Sequence, residues 1–122
     1  MRGDIYFADL WPRSGSEQRG RRPCIIISTD AFNLARGWRS VTIVPLTTSA
    51  PWKSSHTVVR LKKGEANLPR GCAALAHQIT TIDREKLVTP KVGTLSRERL
   101  VELEQAILSY LGIEVDRGAS PG

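Results

Sequence analysis

Three groups of side chains in this chain could do chemistry on an anion. The first is a set of guanidiniums, Arg19, Arg21 and Arg22, at the end of a polar, glycine-punctuated stretch that begins at Ser14. It runs into Pro23 and an apolar β-branched segment, Cys24-Ile25-Ile26-Ile27. A guanidinium is always cationic and can grip two phosphate oxygens at once. Pro23 pushes Arg22 toward extended geometry. A loop that delivers a fixed arginine at the mouth of a buried strand is a good place to bind phosphate. The second group is a row of hydroxyls, Thr47-Thr48-Ser49, at the end of another apolar run. The third is His56 and His77, the residues whose charge changes near neutral pH without help. Glu17 lies in the arginine-bearing loop, where a carboxylate can act as a base or organise a guanidinium, or can simply be solvated.

Composition narrows the setting. The chain has 122 residues, enough for a real core in one domain, with Lys and Arg outnumbering Asp and Glu by 18 to 12. The net charge of +6 favours an anionic partner, nucleic acid first, although a basic excess can also serve only solubility. Arg36, Lys53 and Arg70 join the arginines as candidates for tracking phosphates, and Trp38 or Trp52 for stacking on a base. Cys24 and Cys72 sit in apolar contexts without zinc-ligand spacing and read as buried, reduced thiols. No apolar run approaches the roughly 20 residues of a membrane span, and none resembles a signal peptide. The expectation is a cytoplasmic protein without cofactor or metal. Arg2-Gly3-Asp4 precedes a strand, where a turn held by Asp4 is a simpler account than an adhesion motif.

The elements that must position these groups follow from pattern. Ile5 to Leu10 reads as a first strand, ended by Trp11-Pro12. Pro23 to Ser28 is a second, apolar on both faces and hence central. Thr29-Asp30 looks like the cap of a one- to two-turn helix over 31–36, stopped at Gly37. Ser40 to Leu46 is a third strand, with Pro45 suggesting an edge or a bulge. His56 to Leu61 is a fourth, and Cys72 to Ile82 continues as strand, bent near His77. Residues 83–87 form a polar turn or short helix, and Val88 to Val92 a last short strand. Ser96 caps a final helix whose apolar stripe is Leu100, Leu103, Ile107 and Leu111, and Gly112 stops it. Short strands with one amphipathic helix at the end indicate a small β-barrel or curled sheet with helices attached. Residues 1–115 form the single domain, and 116–122 a polar tail expected to be disordered.

Particular residues then carry a resemblance. Arg2-Gly3-Asp4-Ile5-Tyr6-Phe7-Ala8-Asp9-Leu10, Gly15-Ser16-Glu17-Gln18 followed by Arg22-Pro23, and Ser28-x-Asp30-x-x-Asn33 are the first motifs. Val44-Pro45-Leu46-Thr47, His77-Gln78-Ile79-x-Thr81-Ile82-Asp83 and Gly93-x-Leu95-Ser96 continue the series. Together, over residues 2–113, the chain resembles the MazF/PemK family of toxin endoribonucleases. The resemblance implies a mainly β fold with short helices (α+β), an SH3-like small β-barrel with an amphipathic C-terminal helix, in a homodimer. It implies metal-independent cleavage of single-stranded RNA at short sequences by 2′-hydroxyl attack, leaving 2′,3′-cyclic phosphate and 5′-hydroxyl ends. It also implies a cognate antitoxin whose C-terminal segment fills the RNA groove, and a toxin–antitoxin complex that binds operator DNA through the antitoxin.

That reaction needs the 2′-hydroxyl deprotonated, the phosphorane charge stabilised and the leaving oxygen protonated. Arg22, at the position of the family's catalytic arginine, suits charge stabilisation. Thr47 matches the functional hydroxyl after Val44-Pro45-Leu46, but it could equally bond its own backbone, and Thr48 or Ser49 could share the role. Glu17 is the third catalytic candidate. Gln18, Arg19, Arg21, Thr48, Ser49, Lys53, Cys72, His77 and Gln78 are the expected RNA contacts. His77 stands where many members have a carboxylate, and Cys72 where some have a serine, so His77 is expected to touch RNA and not to catalyse. Two readings from other classes compete: a gyrase-poisoning toxin of the CcdB type acting through the end of the last helix, and a catalytically silent RNA-binding barrel.

Overall fold

The computed structural model of the chain describes residues 1–10, 15, 20–49 and 56–114. Their elements are strands β1 (Asp4–Asp9), β2 (Arg21–Ile26), β3 (Ser40–Thr47), β4 (Val58–Leu61), β5 (Cys72–Leu75), β6 (Thr80–Asp83) and β7 (Leu87–Thr94). Helix α1 is Asp30–Asn33 and helix α2 is Arg97–Leu111, with single 3-10 turns at Glu65–Asn67, Ala76–Gln78 and Arg84–Lys86. All pairings are antiparallel, in the order β4-β5-β3-β2-β1-β7, with β6 also on β3.

β2 is central, between β3 and β1, as its unbroken apolar run predicts. Alternate side chains of a strand point to opposite faces. Ile25 and Ile27 therefore enter one cluster with Ile5, Val44, Leu46 and the α2 residues Leu103, Ala106 and Ile107. Cys24 and Ile26 enter a second cluster with Ala8, Leu10, Val41, Ile43 and Ile82. Leu103 is fully buried, and Leu103→Ala is expected to cost about 2–5 kcal/mol. The two edge strands of the series, β4 and β7, meet through the 3-10 turn at Glu65–Asn67. Asn67 Nδ2 donates to the Val92 carbonyl at 3.3 Å. A side chain at Gly93 would run into the Ala66 carbonyl, so the turn closes the curled sheet where only glycine permits the approach.

Four expectations change. Pro45 is neither at an edge nor in a bulge: it is fully buried in mid-strand, opposite Cys24. β3 pairs β6 through Ser40 to Ile43 and β5 through Leu46 and Thr47, so Pro45 falls in the handover between partners. Its missing N–H therefore breaks no ladder there. The fourth strand begins at Val58, with His56 and Thr57 in the preceding turn. Thr29 makes no side-chain cap to the short α1. That helix is held instead by Asp30, whose Oδ1 accepts from the Arg2 amide at 2.7 Å and from Asn33 Nδ2 at 3.1 Å. Leu111 is 50% exposed, because the packed stripe of α2 ends at Ile107 and the last turn overhangs the sheet. The caps of α2 are as read. Ser96 Oγ accepts from the Arg99 amide at 3.2 Å, and Gly112 takes the left-handed cap conformation at φ 69°. Both cysteines are buried and unbridged.

Candidate functional site

The strand registers bring Arg21 and one hydroxyl to a single face, and Arg22 and Arg70 reach the same cavity from beside it. Pro23 stands opposite Phe7 in the β1–β2 ladder. The β2–β3 ladder pairs Cys24 with Pro45. Continued by one and three residues, it sets Pro23 beside Leu46 and Arg21 beside Thr48. The β3–β5 ladder pairs Leu46 with Ala74 and Thr47 with Ala73, and so brings Cys72 beside Thr48. Residues opposite one another share a face of the sheet. Phe7, Arg21, Pro23, Leu46, Thr48 and Cys72 accordingly line one cavity of about 230 Å³. Arg22, half-buried and opposite Ala8, lines it too. The wall is completed by Leu68, Pro69 and Arg70 from the β4–β5 connection and by Val92 of β7.

The alternation separates the two threonines. Thr48 is exposed and lines the cavity. Thr47 is 3% exposed, is not part of the lining, and its hydroxyl accepts from the Ser49 amide at 3.1 Å. Ser49 is exposed beyond the lining. Among the described lining residues are three guanidiniums, a hydroxyl and no carboxylate. Asp9 stands opposite Arg21 in register but outside the lining. This is a cationic, partly apolar site suited to an anion held by bidentate donors. Cys72 contributes a neutral thiol: burial pushes its pKa up, and Sγ donates to the Arg70 carbonyl at 3.3 Å. It therefore pins the Arg70 backbone and does not act as a thiolate.

Other expected residues lie elsewhere. Glu17, Gln18, Arg19 and Lys53 fall outside the described residues. His77 and Gln78 occupy the 3-10 turn after β5, at the opposite end of that strand from Cys72. Cys72 and the start of that turn are separated by the length of β5, about 10 Å at roughly 3.3 Å per residue. The His77 ring meets the edge of Tyr110 on α2, with centroids 6.1 Å apart. His56 lines another hollow, with Arg60 and Arg99. Neither histidine lines the arginine cavity, so its geometry lends a two-histidine mechanism no support. Among the described residues no three His, Cys, Asp or Glu side chains converge as metal ligands would. A larger hollow, about 680 Å³, runs beside α2. Its one guanidinium, Arg2, is bound to Glu104 at 2.6 Å and to the Ile27 carbonyl at 2.8 Å. Sequence reasoning did not single out Phe7, Leu68, Pro69 and Val92. Apolar residues at a cavity wall look like core residues until the sheet curls and brings β7 and the β4–β5 connection together.

Comparisons with known proteins bear on the fold and the family. The model of the family described as "PemK-like, MazF-like toxin of type II toxin-antitoxin system" matches residues 1–111. Endoribonuclease MazF of Staphylococcus epidermidis is 34% identical over 112 residues, which span 92% of this chain and 91% of that protein. A solved MazF from Deinococcus radiodurans is 26% identical, with a TM-score of 0.74, covering 91% of this chain and 94% of that one. The fold is also that of an endoribonuclease solved with its cognate antitoxin from a mycobacterial species. That chain is 24% identical with a TM-score of 0.74, over 94% of this chain and 97% of its own. The curled antiparallel sheet, the closing helix and a match over nearly the whole length place this chain in the PemK/MazF family of toxins of type II toxin–antitoxin systems.

Proposed function

We propose that this protein is the toxin endoribonuclease of a toxin–antitoxin pair, and that it cuts single-stranded RNA in the arginine cavity. The observation that carries the reading is the lining itself: Arg21, Arg22, Arg70 and Thr48 converge on about 230 Å³ with no described carboxylate among them. That volume is below the roughly 300–1,000 Å³ of sites that enclose a whole small molecule. It suits one phosphate and its flanking sugar on a chain that passes through.

The 2′-hydroxyl attacks the adjacent phosphorus, the bond to the 5′-oxygen breaks, and the products carry a 2′,3′-cyclic phosphate and a 5′-hydroxyl. Arg22 stabilises the extra negative charge on the phosphorane oxygens, a role that needs a permanent cation and no proton transfer. The Thr48 hydroxyl donates to a phosphate oxygen or orients the 2′-hydroxyl. Thr47, engaged with the Ser49 amide, serves the stability of the strand exit and makes no contact with RNA. Glu17 is the carboxylate assigned to the 2′-hydroxyl proton, and Gln18, Arg19 and Lys53 extend the RNA path. A cognate antitoxin, such as those solved in complex with relatives of this chain, lays its C-terminal segment in the same groove in this reading and carries the complex to operator DNA. The toxin works as a cytoplasmic homodimer of one domain. Among the described residues no helix is long and apolar enough to cross a membrane.

The test is incubation of purified protein with single-stranded RNA in EDTA, followed by identification of the fragment ends. Cyclic-phosphate ends that disappear in Arg22→Ala support the reading. Uncut RNA together with trapped gyrase–DNA complexes would support the gyrase-poisoning alternative, and binding without cleavage the silent barrel.

A further inference from the structure

The wall of the cavity that faces the arginine strand is a strained loop. Between β4 and β5, Gly64, Ala66 and Asn67 all adopt left-handed backbone conformations, at φ 91°, 49° and 61°. That conformation costs a residue with a Cβ, such as Ala66, about 1–2 kcal/mol. Strain of this kind persists where the surroundings over-determine the backbone. Here they do so from three sides. The Arg99 guanidinium of α2 makes a two-pronged bond to Glu65, Nε to Oε2 at 2.9 Å and Nη2 to Oε1 at 2.8 Å. Glu65 Oε1 also accepts from the Lys62 amide at 3.0 Å. Asn67 Nδ2 is anchored on the Val92 carbonyl at 3.3 Å. Immediately after this clamp, Leu68 is buried, and Pro69 and Arg70 turn onto the cavity. The Cys72 thiol then holds the Arg70 carbonyl at 3.3 Å.

We propose that Arg70 is an additional phosphate-contacting residue of the cavity, and that the Glu65–Arg99 pair is the device that positions it. This deepens the RNA-cleaving reading and rests on it. The clamp fixes where the β4–β5 loop ends, and so fixes the guanidinium of Arg70 across the cavity from Arg21 and Arg22. Arg99 touches no substrate and acts only through Glu65 and the loop. α2, whose buried face belongs to the core, thereby sets RNA affinity from its exposed first turn.

The experiment measures binding of an RNA whose 2′-hydroxyl is removed at the cut site, and cleavage of the intact RNA, over a range of salt. Arg70→Gln is expected to weaken binding about tenfold or more and to raise KM with little change in kcat. It should also reduce the slope of log Kd against log salt by about 0.7, the share of one phosphate on a single strand. Arg99→Ala is expected to weaken binding in the native background and to have no further effect in the Arg70→Gln background. A thermal melt of each variant shows that the fold is retained. The proposal is overturned if Arg70→Gln leaves the affinity and the salt slope unchanged. It is also overturned if Arg99→Ala costs the same affinity in both backgrounds, because the pair would then serve stability alone. A native protein that neither binds nor cuts RNA removes the functional reading as well. Cleavage lost in Arg22→Ala but untouched in Arg70→Gln removes only this inference.

Discussion

The two ends of β3 carry similar residue types and use them in opposite ways. At the Ser40 end, Arg39 bonds Asp83 at 3.2 Å and Glu85 at 2.7 Å. The Thr42 and Thr81 hydroxyls bond each other at 2.8 Å. Ser28 Oγ donates to Asn33 Oδ1 at 2.6 Å and accepts from the Thr42 amide at 3.1 Å. Cations and hydroxyls there are consumed by neighbours in the same fold. At the Thr47 end, Arg21, Arg22, Arg70 and Thr48 face a cavity to which no described carboxylate contributes. A guanidinium already matched by carboxylates adds little field for a ligand, whereas several gathered on a low-polarity wall reinforce one another. Residue type alone therefore does not mark a site. What marks it is several cations gathered on one cavity wall.

The comparison can be broken most sharply at Arg22. Arg22→Ala is expected to lower kcat by about 10²–10³, as when a preorganised charge-stabilising donor is removed, with the circular dichroism spectrum unchanged. Retained cleavage would sink the assignment of the cavity. Next is the pair of threonines. Thr48→Val should reduce kcat/KM by about tenfold with little change in melting temperature. Thr47→Val should do the reverse: it strands the Ser49 amide, costs about 1–2 kcal/mol of stability and leaves cleavage near native. If the two variants exchanged phenotypes, the register argument would be wrong.

A smaller effect lies in acid. Hydrogen bonds from Arg99 hold Glu65 below its ordinary value of 4.5, against the opposing effect of burial. A carboxyl with a depressed folded pKa adds stability that is complete above its unfolded value and fades as pH falls through the folded one. Glu65→Gln should therefore lower stability at neutral pH, where that contribution is complete, and flatten the acid limb of the stability curve below about 4.5, where native and variant converge. Urea melts at several pH values measure it. The smallest effect is at the opposite end of β3. Arg39→Gln should change neither the RNA Kd nor its salt slope. A lowered slope there would extend the RNA path along the whole strand and erase the contrast.

Local pattern was a good guide wherever one physical rule dominated. The apolar run at Cys24 to Ile27 could only be a strand covered on both faces. The Ser96 and Gly112 caps bracketed α2 because unsatisfied amides and carbonyls at helix ends have few remedies. Arg22 was legible as an extended residue at the start of β2 because Pro23 restricts the backbone before it. Pattern failed where two strands compete for a third. Pro45 reads as an edge residue until it is seen that β3 changes partners there. Leu111 reads as part of the apolar stripe until the helix is seen to outrun the sheet.

The sequence by itself determined the strand and helix content, the motifs that carry the family and the guanidinium poised before Pro23. Those are properties of short segments, governed by periodicity, capping and proline stereochemistry. Only the tertiary structure decided which hydroxyl faces the cavity, because a shift of one residue in register moves a side chain to the other face. It alone brought Arg70 to the cavity of Arg22 from 48 positions along the chain, through a loop held by a helix still further on. That placement depends on the closure of the curled sheet at Gly93 and Ala66, a contact between distant segments that no local pattern encodes.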